Sequence, residues 1–154
     1  MIRAALILML FVALTSAQAR NQPDLVPEGW SKVPSRGNPN TIGFVSPDGR
    51  ARLTLGRSRA DREDPRREMD DIAHRPGGVI TYQRRGRSWI VVSGYRQGEI
   101  FYRRANLACG GTRWHTIEMR YPREDKRRMD ADVTAISHGL TQYGDACPSQ
   151  RASD

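Results

Sequence analysis

Arginine is the side chain this sequence supplies most freely for chemistry. There are 23 arginines against two lysines, Lys32 and Lys126. Arg84, Arg85 and Arg87 crowd one short stretch, and Arg120, Arg123, Lys126, Arg127 and Arg128 crowd another. A guanidinium grips phosphate, sulfate or carboxylate through a planar fork, so such clusters could hold an anionic envelope polymer, a lipid phosphate or an acidic protein. A GC-rich genome would give the same bias, and a charged turn also keeps itself soluble.

The other reactive side chains do not assemble into a catalytic pattern. His74 falls at a helix end, His115 in a strand, and His138 on the polar side of a helical stripe. Cys109 and His115 have the spacing of neither a zinc pair nor a nucleophile pair. Ser93, in Val92-Ser93-Gly94, lacks the first glycine and the strand-to-helix turn of a nucleophile elbow. Asp61, Glu63, Asp64, Glu68, Asp70 and Asp71 do not follow calcium-loop spacing, and Arg62, Arg66 and Arg67 are interleaved with them, as on a solvated, self-paired helix. No catalytic residue, metal site or cofactor is expected. Two function classes stay open: a non-catalytic binding or accessory domain of the cell envelope, and an enzyme whose site converges only in the fold. A deep cleft of convergent polar groups would favour the enzyme, and a shallow basic surface the binder.

The chain opens with Arg3, an apolar run from Ala4 to Leu14, and Ala17-Gln18-Ala19. The run is too short to span a bilayer, and small-x-small is what signal peptidase accepts. Residues 1–19 are therefore expected to be a signal peptide cleaved after Ala19, which leaves a periplasmic or secreted product with no transmembrane segment. Two cysteines in an exported chain predict a Cys109–Cys147 disulfide. In the mature chain the net charge is +2 over residues 20–83, +8 over 84–128 and −3 over 129–154. The excess speaks of partners rather than fold. Nucleic acid is not expected as a physiological partner of an exported protein, although charge alone gives binding at low salt.

Residues 20–40, rich in proline and glycine, are expected to run as an extended surface arm anchored by Trp30 and Val33, and residues 41–147 to form one domain before a disordered tail, 148–154. Thr41–Val45 and Ala51–Leu55 alternate as strands around the turn Ser46-Pro47-Asp48-Gly49. Asp61–His74 reads as a helix with Asp64 as cap, Pro65 in its first turn and a thin stripe of Met69, Ile72 and Ala73. Four strands follow, Val79–Gln83, Trp89–Tyr95, Ile100–Ala108 and Arg113–Tyr121. Two-residue turns at Gln97-Gly98 and Gly110-Gly111 would pair Arg96 with Glu99, Gly94 with Phe101, Leu107 with Trp114 and Arg103 with Glu118. One face then carries Ile90, Val92, Phe101, Leu107 and Trp114, and the other Trp89, Val91, Tyr102, Ile117 and Met119. Both require cover. A closing helix over about Glu124–Tyr143 presents Met129, Val133, Ile136, Leu140 and Tyr143. The expected fold is α+β: an antiparallel meander with two helices packed on it.

That order of elements, with Phe44-Val45-Ser46-Pro47-Asp48-Gly49 and Arg120-Tyr121-Pro122-Arg123-Glu124-Asp125-Lys126-Arg127, resembles a group of exported alphaproteobacterial domains of unknown function similar to the photosystem extrinsic protein (PsbP-like) fold. The likeness spans roughly Trp30 to Leu140. It implies a fold and no activity.

Overall fold

A computed structural model describes residues 25–34, 39–61, 64–74, 78–144 and 147, with side chains through residue 140 and at Cys147. The expected signal peptide, part of the arm, the side chain of Tyr143 and the tail 148–154 lie outside the described residues.

Seven strands run β1 Ser31–Val33, β2 Thr41–Val45, β3 Arg52–Arg59, β4 Val79–Arg85, β5 Trp89–Arg96, β6 Glu99–Ala108 and β7 Arg113–Pro122. Helix α1, Pro65–Ala73, lies between β3 and β4, and α2, Lys126–Gly144, follows β7 through a 3-10 turn at Arg123–Asp125. The strands form one antiparallel sheet in the order β1-β2-β3-β7-β6-β5-β4. The fold is thus the α+β meander with two helices that the alternation implies.

The meander pairs as its turns require. Gln97 and Gly98 take φ of 50° and 83°, the doubly left-handed turn whose twist suits a tight hairpin, and Gly94 faces Phe101. The next connection is four residues long, Cys109–Thr112, rather than the expected two, yet it keeps Leu107 opposite Trp114 and Arg103 opposite Glu118. Lengthening a hairpin loop by one residue on each side leaves the register unchanged.

Alternation along these strands builds two cores. On one face Met69, Ile72 and Ala73 of α1 pack with Ile90, Val92, Phe101, Ala105 and Trp114. On the other, Met129, Ile136 and Leu140 of α2 pack with Leu53, Leu55, Ile100, Ile117, Met119 and Tyr121. The first helix starts at Pro65, four residues later than the sequence suggests, because the Asp64 carboxylate caps it by accepting from the Arg67 backbone N–H at 3.0 Å.

The N-terminal segment keeps Trp30 as the expected anchor but packs more deeply than an extended surface arm. Ser31–Val33 pairs with β2 as an edge strand, and Leu25, Val26 and Trp30 are buried in the α2 core. Gly139 permits this, since a side chain there would strike Leu25. Three apolar residues without regular spacing carry enough area to be drawn in, and periodicity alone cannot register that.

Candidate functional site

The structure separates the two arginine clusters. Arg84, Arg85 and Arg87 sit at the tip of the β4–β5 hairpin, beside the row that joins Trp89, Asn106 and His115. Arg120 and the residues after it lie at the other end of β7, next to Phe101 and Glu99. Five residue steps along β7, from His115 to Arg120, separate these two rows, roughly 17 Å.

Most of the candidate cations already have partners. Arg85 pairs with Asp70 of α1 at 3.0 Å, Arg120 with Glu118, and Lys126 with Asp130 at 3.0 Å. Arg128 bridges Asp48 at 2.8 Å and Asp125 at 3.1 Å, while Arg50 donates to Glu124 at 2.7 Å and to Asp125 at 2.9 Å. These bonds fasten the β2–β3 turn to the start of α2. Asp48 also accepts from the Ser46 hydroxyl and the Arg50 backbone, and those hydrogen bonds, the Ser46 one foremost, hold its carboxyl below the usual range. Much of the second cluster is therefore a structural clamp. Arg123 stacks on Tyr95, 4.8 Å from the ring centroid. Among the described residues, Arg84, Arg87 and Arg127 have no acidic partner.

Two of the candidates border one surface. Cross-strand neighbours point to the same side of a sheet, so Arg84, opposite Val91, and Tyr82, opposite Ser93, share the α2 face with Trp89 and Tyr95. Because α2 packs on β6 and β7, and α1 on β5 and β6 from behind, this part of the sheet is left largely open. Val79, Tyr82 and Tyr95 are 69%, 47% and 36% exposed. Arg84 closes one end of the strip and Arg123 the other. The whole hairpin, residues 79–96, contains four arginines and no acidic residue. The inner border is sealed by polar contacts: Tyr102 donates to the Ser137 hydroxyl at 2.7 Å, and Arg104 to the Ser137 carbonyl at 3.0 Å and to Asn106 at 3.1 Å. The expectation that both faces would be covered thus holds over β6 and β7 and fails at the hairpin. The aromatic component of the strip was missed from sequence; the signal was Tyr82 and Tyr95 in a stretch without acids.

A cleft beneath α1 is the other candidate. Thr41, Thr54, Thr116, Ile72, Arg103 and Glu118 line about 50 Å³, well below the few hundred Å³ of an ordinary small-molecule site. Arg103 is 6% exposed, donates to Glu118 at 3.2 Å and lies 4.6 Å from the Phe101 ring centroid. Glu118 uses its other oxygen for Arg120. The cleft's charges are thus turned on one another.

The three histidines stand apart: His74 Nδ1 lies 2.8 Å from the Asp70 carbonyl at the end of α1, His115 is buried in β7, and His138 is exposed on α2. Cys109 and Cys147 form a disulfide, so neither is a free thiol. No helix among the described residues is long and apolar enough to cross a membrane.

Burial pushes the Tyr121 hydroxyl up to about 12, with Asp130 and Tyr95 adding to the effect. A raised pKa contributes stability that is whole below the unfolded value of 10.0 and is lost as pH climbs towards 12. Alkaline titration is expected to show unfolding across that window, and Tyr121→Phe to remove that contribution; an unchanged alkaline profile in the variant would exclude Tyr121 as its source.

No family model matches the chain, and no curated protein matches it. Among solved structures it is similar to LpqN, described as involved in cell envelope biogenesis of Mycobacterium tuberculosis, with 12% identity, a TM-score of 0.38, and coverage of 73% of this chain and 78% of that one. So distant a likeness assigns neither fold nor role.

Proposed function

We propose that this chain is an exported, non-catalytic binding or accessory domain of the cell envelope, and that it holds an anionic partner on the α2-side face of the β4–β5 hairpin. The observation that carries the reading is the coincidence of exposed rings, arginines at both ends and a hairpin without acidic residues, on a part of the sheet that neither helix covers among the described residues. Exposed aromatic and guanidinium groups side by side are the composition of binding surfaces rather than of inert ones. The disulfide supports an oxidising compartment, in keeping with a leader removed after Ala19. Mass measurement of the exported protein is expected to find Arg20 as the first residue, and retention of Met1 would reject the export reading.

Reversing Arg84 and Arg123 together to glutamate should weaken binding to a polyanion such as heparin by about tenfold or more. Reversing Arg59 and Arg66, which are exposed elsewhere, changes net charge equally and should cost much less. Equal losses would mean that net charge alone drives binding, and the site would be withdrawn. Affinity should also fall as salt rises, because exposed charges are screened.

A further inference from the structure

We infer that the partner of this strip is an acidic polysaccharide, laid lengthwise along the β4–β5 hairpin with sugar rings against the aromatic side chains and carboxylates on the arginines. The inference rests on the anion-binding reading and narrows it to one ligand class.

The argument starts from the order of side chains along the strip. From one end come Arg123 on Tyr95, then Tyr82, then Arg84 opposite Val91, then Trp89 with Arg87 beyond it at the tip. Same-face positions recur every two residues, about 7 Å along a strand. Three aromatic rings are therefore interspersed with cations over roughly 20 Å. A ligand that uses both must present flat apolar faces and negative charges repeatedly along its length. A uronic acid polymer does so, since each ring offers a face of C–H bonds and a carboxylate at its edge. An acidic peptide offers charges without rings. A lipid headgroup offers one charged point, and its chains need a groove that a flat sheet face does not supply. Single-stranded nucleic acid has both features; the export reading proposed above, which the disulfide supports, argues against it, and oligothymidylate is the arm of the test that decides.

The rings also suit the purpose mechanically. Tyr82 and Tyr95 are diagonal neighbours across the β4–β5 pair, within reach of one extended ligand. Tyr95 is held by the Arg123 guanidinium, and Trp89 is held over Gly86, where any side chain would strike the indole. Rings fixed in place lose little freedom when a ligand arrives.

The test measures binding of the full mature protein to polygalacturonate, to polyglutamate of matched charge, to oligothymidylate and to vesicles of phosphatidylglycerol. Polygalacturonate is expected to bind at least about tenfold more tightly than polyglutamate. Tyr82→Ser, alone and with Tyr95→Ser, should shrink that preference by weakening polygalacturonate binding several-fold more than polyglutamate binding; both side chains are exposed enough to be removed without unfolding the domain. Tightest binding to polyglutamate, to vesicles or to oligothymidylate would overturn the polysaccharide assignment, as would a preference insensitive to both tyrosines. If instead no polyanion responds to reversal of Arg84 and Arg123, the anion-binding reading itself fails, and the two failures are told apart by that pair of variants.

Discussion

Removal of the Cys109–Cys147 bridge lowers the stability of the folded protein by about 4 kcal/mol, the value that loop-closure entropy assigns to the 38-residue separation between the two cysteines. For a domain of this size the corresponding fall in melting temperature is on the order of 15 °C. The bridge ties the chain after α2 to the β6–β7 loop. Without it, α2 is held among the described residues by its apolar stripe and by the contacts of Ser137 with Tyr102 and Arg104. Cys109 itself has a φ of 55°, a conformation that disfavours a side chain. Two double variants separate the contributions. Cys109→Ser with Cys147→Ser loses the cross-link and keeps a residue in the left-handed region, whereas Cys109→Gly with Cys147→Ser loses the cross-link and relieves the backbone, and should be the more stable by about 1 kcal/mol. Denaturant unfolding of the three proteins measures both effects. Native protein unfolded without reductant should show no titratable thiol. Two free thiols, or an unchanged midpoint after reduction, would remove the bridge from the account of stability.

Glu118→Ala is expected to cost about 3 kcal/mol, because it withdraws the carboxylate that neutralises Arg103 while the guanidinium stays almost wholly inside the protein. The pair sits where α1 meets the sheet, and Arg103 also donates to the Ala73 carbonyl at the end of that helix. Loss of Glu118 therefore deprives the buried guanidinium under α1 of its described carboxylate partner. Replacing both partners, Arg103→Met with Glu118→Leu, removes the uncompensated charge and should recover most of the stability, since apolar groups of similar size satisfy such a site as well as an ion pair does. Arg120→Ala provides the contrast: its side chain is 39% exposed and it shares the same carboxylate, so its removal should cost less than about 1 kcal/mol. Urea midpoints of these variants decide the matter. A double variant as unstable as Glu118→Ala alone would show that packing rather than charge governs the position.

Neither effect depends on the binding proposal, yet both bear on it. The bridge ties down the loop between β6 and β7, the ion pair joins the middles of those strands, and β6 carries the hairpin through its pairing with β5. A glycine completes the attachment. Gly94 lies where the β4 bulge between Ile80 and Tyr82 brings the Val79 carbonyl down on β5, and no side chain could be housed there. The bulge also interrupts the free edge of β4, one of the ways a sheet discourages pairing with another chain. The open face, rather than the edge, is thus the part of this hairpin suited to a partner.

By itself the sequence determined everything governed by near neighbours. Turn residues at Gln97-Gly98 and Gly110-Gly111 set the register of β5, β6 and β7, because short connections leave a hairpin little choice of pairing. That register in turn placed Arg103 against Glu118 and sorted the two apolar faces. Stripes at helical spacing selected the residues by which α1 and α2 dock, Met69, Ile72 and Ala73 on one, Met129, Ile136 and Leu140 on the other. The tertiary structure alone decided what depends on distant segments meeting. The pairing of β3 with β7 joins strands more than fifty residues apart with no turn to specify it, and the burial of Leu25 and Val26 depends on where α2 and the sheet come together, which no local pattern announces. The arginines were legible as clusters, but their partners were not. Arg128 meets Asp48 and Arg85 meets Asp70 only because a helix has settled at a particular place on the sheet. The same placement left Tyr82 and Tyr95 uncovered. Periodicity fixes which side of a helix faces inward, whereas the share of a sheet it covers follows from how its whole length docks, and that is a property of the assembled core.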